Sequence, residues 1–187
     1  MSYLKGLPEQ TDLWDVIRAR EDLWKFTIPA SETIMRGPSP LSIAERELIG
    51  TYVSGLNACS YCFDAHAATA KAMGFSEDVT NAVLDDPNTA PIEERWKSVF
   101  SFVHKITIEP SKIVKSDIEK MSDAGWDDDA ISSVIAVASY FNFANRWVLA
   151  HGCELRDDIL AVWSLPLNMS REEMYQAYLD KSNEDSN

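Results

Sequence analysis

The chain has 187 residues, a formal net charge of −13, 45% hydrophobic and 25% charged residues. That is enough for one domain with a substantial core, and the composition is ordinary for a globular protein. The acidic balance argues against a nucleic-acid or anionic-membrane partner, since both attract basic surfaces; it also has the plain reading of keeping the protein soluble.

The amino terminus lacks a charged segment followed by an apolar run, so no signal peptide is expected. The richest apolar stretch, Ala130 to Phe141, is too short for a bilayer, contains serines and is followed by Arg146. Three cysteines are too few for a disulfide scaffold, and a close pair in a reducing compartment is more often redox-active or metal-binding. A cytoplasmic enzyme is the resulting expectation.

In chain order, Met1 to Gln10 reads as an extended lead-in with Pro8. Thr11 or Asp12 caps a first helix through Arg20, with Leu13, Trp14 and Ile17 at helical intervals. A second helix covers Asp22 to Met35 and breaks or kinks near Pro29. Gly37-Pro38-Ser39-Pro40 is a loop. Ser42-Ile43-Ala44-Glu45 is a capping box, and Ile43, Leu48, Ile49, Tyr52, Val53 and Leu56 continue the helix it opens. Gly55 and Asn57 are expected to form a sharp joint. Another helix follows from about Ser60 through Ala72 and stops at Gly74.

Ser76 caps a short helix, Glu77 to Leu84. A longer one runs from Ile92 to Ile106 with Trp96, Val99, Phe100 and Val103 facing inward, and Pro110 to Ser111 separates it from Lys112 to Ser122. After a stop at Ala124-Gly125, the longest helix spans Asp128 to Ala150. Its apolar stripe is Ile131, Val134, Ile135, Ala138, Phe141, Asn145 and Val148. The tail carries helices near Asp157 to Trp163 and over Arg171 to Leu179, then a polar, frayed segment from Lys181 to Asn187. No strand pattern and no dividing linker appears. The expectation is an all-α single domain over residues 1–187, organised around a reactive helix pair at 41–74. Val53-Ser54-Gly55-Leu56-Asn57 echoes Ala138-Ser139-Tyr140-Phe141-Asn142, which is compatible with an old duplication of helix pairs.

The chemistry concentrates in that pair. Cys59 and Cys62 lie at a helix start, where unpaired amides and the helix dipole favour a thiolate. His66 is one turn after Cys62 on the same face and can take a thiol proton. Glu47, on the preceding helix, is placed to orient the imidazole. Helix position alone favours Cys59 as the more exposed nucleophile. Further candidates are Tyr61, beside the thiols, and Asn142, Asn145 and Arg146 on the longest helix. His104 and His151 lack partners in sequence and read as structural or surface residues, and Cys153 reads as an ordinary free thiol. A zinc reading would use Cys59, Cys62 and His66 with Cys153, His151 or Glu47 as a fourth ligand.

The run Glu45-Arg46-Glu47-Leu48-Ile49, then Val53 to Asn57, then Cys59-Ser60-Tyr61-Cys62 with His66 resembles the AhpD-like alkylhydroperoxidases. These belong to the carboxymuconolactone decarboxylase superfamily, and the peroxidase-related branch is the best match. The similarity is strongest from Leu41 to Gly74 and fainter from Tyr140 to Leu155. It implies an AhpD-like multi-helix bundle and a thiol peroxidase in which Cys62 attacks a hydroperoxide, Cys59 resolves the sulfenic acid to a disulfide, and Glu47 and His66 relay protons.

The same resemblance implies no bound cofactor, a lipoyl or thioredoxin-like thiol reductant as partner, and a homo-oligomer, trimer or hexamer. Tyr61 stands where the family's best-known type has a histidine, which alters the proton path. Two other readings remain: a decarboxylase, against which the cysteine pair counts, and a redox-sensing or zinc-stabilised binding protein without turnover.

Overall fold

The computed structural model describes residues 2–156, 159–160 and 170–184, the last four as backbone only. Helix α1 (Leu13–Ala19) opens with a capping box: the Asp12 carboxylate accepts from the amides of Trp14 and Asp15, and the Asp15 carboxylate accepts from that of Asp12. Such a cap stabilises a helix by about 1 kcal/mol. The single second helix expected from the sequence is two pieces, α2 (Glu21–Trp24) and α3 (Thr27–Arg36). The break falls at Lys25 and Phe26 rather than at Pro29, because Pro29 lies in the first turn of α3, where no backbone N–H is required.

Helix α4 (Ile43–Leu56) begins at the Ser42/Glu45 capping box and buries Leu48, Ile49, Tyr52 and Val53. Helix α5 (Ser60–Ala72) follows after a tight turn. The residue that reverses the chain is Ala58, the one non-glycine with positive φ (52°) among the described residues. Gly55 sits inside α4 instead, where a Cβ would come within 2.5 Å of Leu84. The glycine expected to make the joint is therefore a packing residue.

Helices α6 (Glu77–Asp85), α7 (Trp96–Ile108), a 3-10 turn (Pro110–Lys112), α8 (Lys115–Asp123) and α9 (Asp128–His151) follow. Helix α7 starts four residues later than expected, at Trp96, and α9 closes on Gly152 in the left-handed region, φ 66°. Helix α10 (Arg171–Glu184) runs past the expected end at Leu179 and takes in the first part of the segment read as frayed. The helix expected near 157–163 lies largely outside the described residues, though 159 and 160 are helical. No strand occurs among the described residues, and the architecture is an all-α bundle, as expected.

Two apolar clusters organise it. The larger joins α4, α7 and α9 with Met35, Val83 and Met121. Fully burying a side chain of this size is worth about 1.5–3 kcal/mol. Ile135, placed in the apolar stripe of α9 by its spacing, is 39% exposed, whereas Val137 is buried. The second cluster brings Trp14, Ile17 and Ile28 together with Cys59, Tyr61, Cys62, Trp147, Met174 and Tyr175. The α4–α5 hairpin lies between the two and carries its reactive residues inward from both helices.

Candidate functional site

Glu47 is fully buried on α4. Its Oε2 lies 2.5 Å from Nδ1 of His66, and its Oε1 lies 2.5 Å from Nη2 of Arg36 and 3.7 Å from Nη2 of Arg171. Burial on its own pushes the carboxyl upward, but His66, Arg36 and Arg171 outweigh it and hold the group at about 2. The imidazole of His66 is pushed down, first by burial and also by the two arginines, against the pull of Glu47. An ionised Glu47 beside a neutral His66 is the resulting state. Donation of Nδ1–H to the carboxylate leaves the lone pair on Nε2, the tautomer a general base needs.

The ring of His66 is held by packing as well. Phe141 meets it edge-on, with centroids 4.5 Å apart and an interplanar angle of 87°. Phe141 reaches this position because residue 50 is glycine: a Cβ there would lie 2.4 Å from the ring.

Cys59 is the N-cap of α5, and its own amide donates to the Ser54 carbonyl at 2.9 Å. That bond folds the cap inward, so Cys59 is fully buried and Cys62 is 5% exposed. The greater exposure expected for Cys59 from helix position is not found. Cys62, His66, Tyr140, Phe141, Trp147 and Arg171 share the wall of a cavity of about 50 Å³ that Cys59 does not line. One liquid water occupies about 30 Å³, so the space suits a small molecule. The indole N–H of Trp147 has no hydrogen-bond partner among the described residues.

The two thiols are electrostatically unequal. Cys59 is shifted down, chiefly by the hydrogen bond from the Cys62 thiol, with help from the Cys62 amide and Asn145. Cys62 is shifted well up by the same hydrogen bond and by burial, while Asn145 pulls it down. Cys59 thus favours the thiolate, and Cys62 needs a base to lose its proton.

Asn145 reaches the pair from α9 and is itself fixed: it donates to Ser54 Oγ at 3.0 Å and accepts from Asn57 Nδ2 at 2.9 Å. Asn57 also donates to Asn142 Oδ1, which accepts from the exposed Arg146 at 2.8 Å. Asn142 and Arg146 therefore support the network from outside the cavity wall. Tyr61 does not line the cavity, and its hydroxyl accepts from the Leu13 amide at 3.4 Å. Among the described residues, no group of three or more His, Cys, Asp or Glu is arranged to hold a metal ion, and Glu47 occupies the nitrogen of His66 that faces it.

Arg36 and Arg171 were not among the sequence candidates. Both lie far from the Cys-x-x-Cys segment in sequence and meet Glu47 only through the packing of α3 and α10; nothing in the local spacing marks them.

Residues 22–90 match the carboxymuconolactone decarboxylase family. The uncharacterized protein YdfG of Bacillus subtilis (strain 168) is 27% identical over 114 residues, which is 61% of this chain and 78% of that protein. Among solved structures, an uncharacterized peroxidase-related protein from Silicibacter sp. TM1040 has a similar fold, with a TM-score of 0.73 at 24% identity over 79% of this chain and 78% of that one. A second uncharacterized peroxidase-related protein, from Ralstonia eutropha JMP134 and described as an alkylhydroperoxidase AhpD core, has a TM-score of 0.73 at 22% identity over 81% and 80% of the two chains. Among the described residues no helix is long and apolar enough to cross a membrane. The segment that matches the carboxymuconolactone decarboxylase family contains Glu47, Cys59, Cys62 and His66, and the fold is shared with both peroxidase-related proteins.

Proposed function

We propose that the protein is a thiol-dependent peroxidase that reduces small hydroperoxides through the Cys59–Cys62 pair. The observation that carries this reading is the buried Glu47–His66 contact behind a cavity whose wall includes Cys62. A thiol shifted upward needs a base, and a neutral imidazole with its lone pair on Nε2 is that base.

In the cycle we infer, Nε2 of His66 takes the Cys62 proton and the Cys62 sulfur attacks one peroxide oxygen. The S–O bond forms as the O–O bond breaks, and the departing alkoxide takes the proton back from His66 to leave as an alcohol. Cys59, favoured as a thiolate, then attacks the Cys62 sulfenic acid, and hydroxide leaves as water once it gains a proton. Two equivalents of an external thiol, or one dithiol of the lipoyl or thioredoxin type, reduce the disulfide. The indole N–H of Trp147, which has no hydrogen-bond partner among the described residues, gives the substrate oxygen a donor within an otherwise largely apolar wall.

The test is mass spectrometry after one equivalent of cumene hydroperoxide, with remaining thiols alkylated. Wild type should carry an intramolecular Cys59–Cys62 disulfide, and Cys59→Ser should carry a sulfenic acid on Cys62. Two thiols that stay reduced and alkylate freely would sink the reading.

A further inference from the structure

We infer that Arg171, supplied by the C-terminal helix, is a positioning residue of the Glu47–His66 pair: it holds the carboxylate in place and keeps the imidazole in the neutral form that accepts a proton. This rests on the proposed thiol chemistry only for its catalytic meaning, not for its geometry.

Arg171 opens α10, and its side chain is 4% exposed. Its Nη2 stands 3.7 Å from Glu47 Oε1, on the opposite end of the carboxylate from the oxygen that meets His66. It also shares the cavity wall with Cys62 and His66. Its placement is fixed independently of Glu47. The Arg171 backbone amide donates to Glu32 Oε2 at 2.9 Å, and its Nη1 lies 3.2 Å from the Met174 sulfur. Glu32 belongs to α3, the helix that also carries Arg36, so α3 and α10 form one bracket around the carboxylate. Arg171 lies outside the segment that matches the family, residues 22–90.

The groups facing this centre from each packed element are Arg36 and Glu32 on α3, Glu47 and Arg46 on α4, Cys62 on α5, Tyr140 on α9 and Arg171 on α10. A buried cation beside an imidazole disfavours the imidazolium. Burial lowers His66 and both arginines add to it. Two arginine charges beside one carboxylate oxygen also disfavour protonation of Glu47, so the proton it shares with His66 stays on Nδ1.

The experiment is a pH titration of the His66 ring signals by NMR in the full chain, assigned with a His66→Gln variant and read alongside thermal unfolding. In Arg171→Met the His66 titration should move to higher pH, and Arg171→Lys should return it towards wild type. The acidic limb of the peroxide-consumption profile should move with it. A purely structural arginine would lower the unfolding temperature and leave the titration where it was.

Should the methionine variant fail to fold, Arg171→Gln, which keeps donors but loses the charge, gives the same reading. An unmoved titration in a folded neutral variant, or loss of folding in both neutral variants, would overturn the assignment. Because the NMR titration needs no turnover, absence of peroxidase activity would sink the proposed function while leaving this inference to its own result.

Discussion

Replacing Glu47 by glutamine isolates the charge at the centre of the site. The change is nearly isosteric, so packing is retained, but Arg36 and Arg171 are left facing a neutral amide in a buried space. A carboxyl held at about 2 instead of the ordinary 4.5 stabilises the fold at neutral pH by about 3 kcal/mol, at 1.36 kcal/mol per pH unit. Breaking one member of a buried ion pair costs a similar about 3–5 kcal/mol.

The sign follows from the lowered folded value. The contribution is fully present above pH 4.5 and is lost as pH falls towards 2, because the unfolded chain then binds the proton first. Urea unfolding of wild type and Glu47→Gln should therefore differ by about 3 kcal/mol at pH 7, and the gap should narrow by about 1 kcal/mol at pH 3.5. A gap below about 1 kcal/mol at pH 7, or one that stays constant as the pH falls, would refute the picture of an ionised carboxylate between two arginines.

Two other substitutions probe the surroundings of that charge. Gly50→Ala puts a methyl group 2.4 Å from Phe141, so the ring must move away from His66; we expect a loss of about 1–3 kcal/mol by thermal unfolding and slower disulfide formation with peroxide. Asn145→Ala removes the amide that pulls both thiols down; the pH profile of iodoacetamide alkylation should shift upward for both, and an unchanged profile would show that the amide serves only the Ser54 and Asn57 contacts.

What could be read from the sequence was local. The Ser42/Glu45 cap, the α5 span and the Cys-x-x-Cys-to-His spacing depend on neighbours within one turn, and all are where the pattern put them. The joint was misplaced because Gly55 has two uses, tight packing or positive φ, and sequence does not distinguish them; here it packs against Leu84 while Ala58 takes the left-handed backbone. The burial of Cys59 was hidden for a related reason. A helix N-cap is commonly wet, but the bond from its amide to Ser54 turns this one inward. Arg36 and Arg171 were missed because their role is set by how α3 and α10 pack on α4, and a lone arginine at a helix end ordinarily reads as surface charge.

The position of Cys59 at the start of α5 has a consequence for reduction potential. A helix N-terminus with a neighbouring thiol and an amide donor lowers the free energy of the thiolate. That thiolate exists only when the pair is reduced, so the same interactions weight the couple towards dithiol. For a two-electron couple, every 1.4 kcal/mol of such preference raises the potential by about 30 mV. In the cycle proposed above, that preference makes the disulfide easier for a dithiol to reduce.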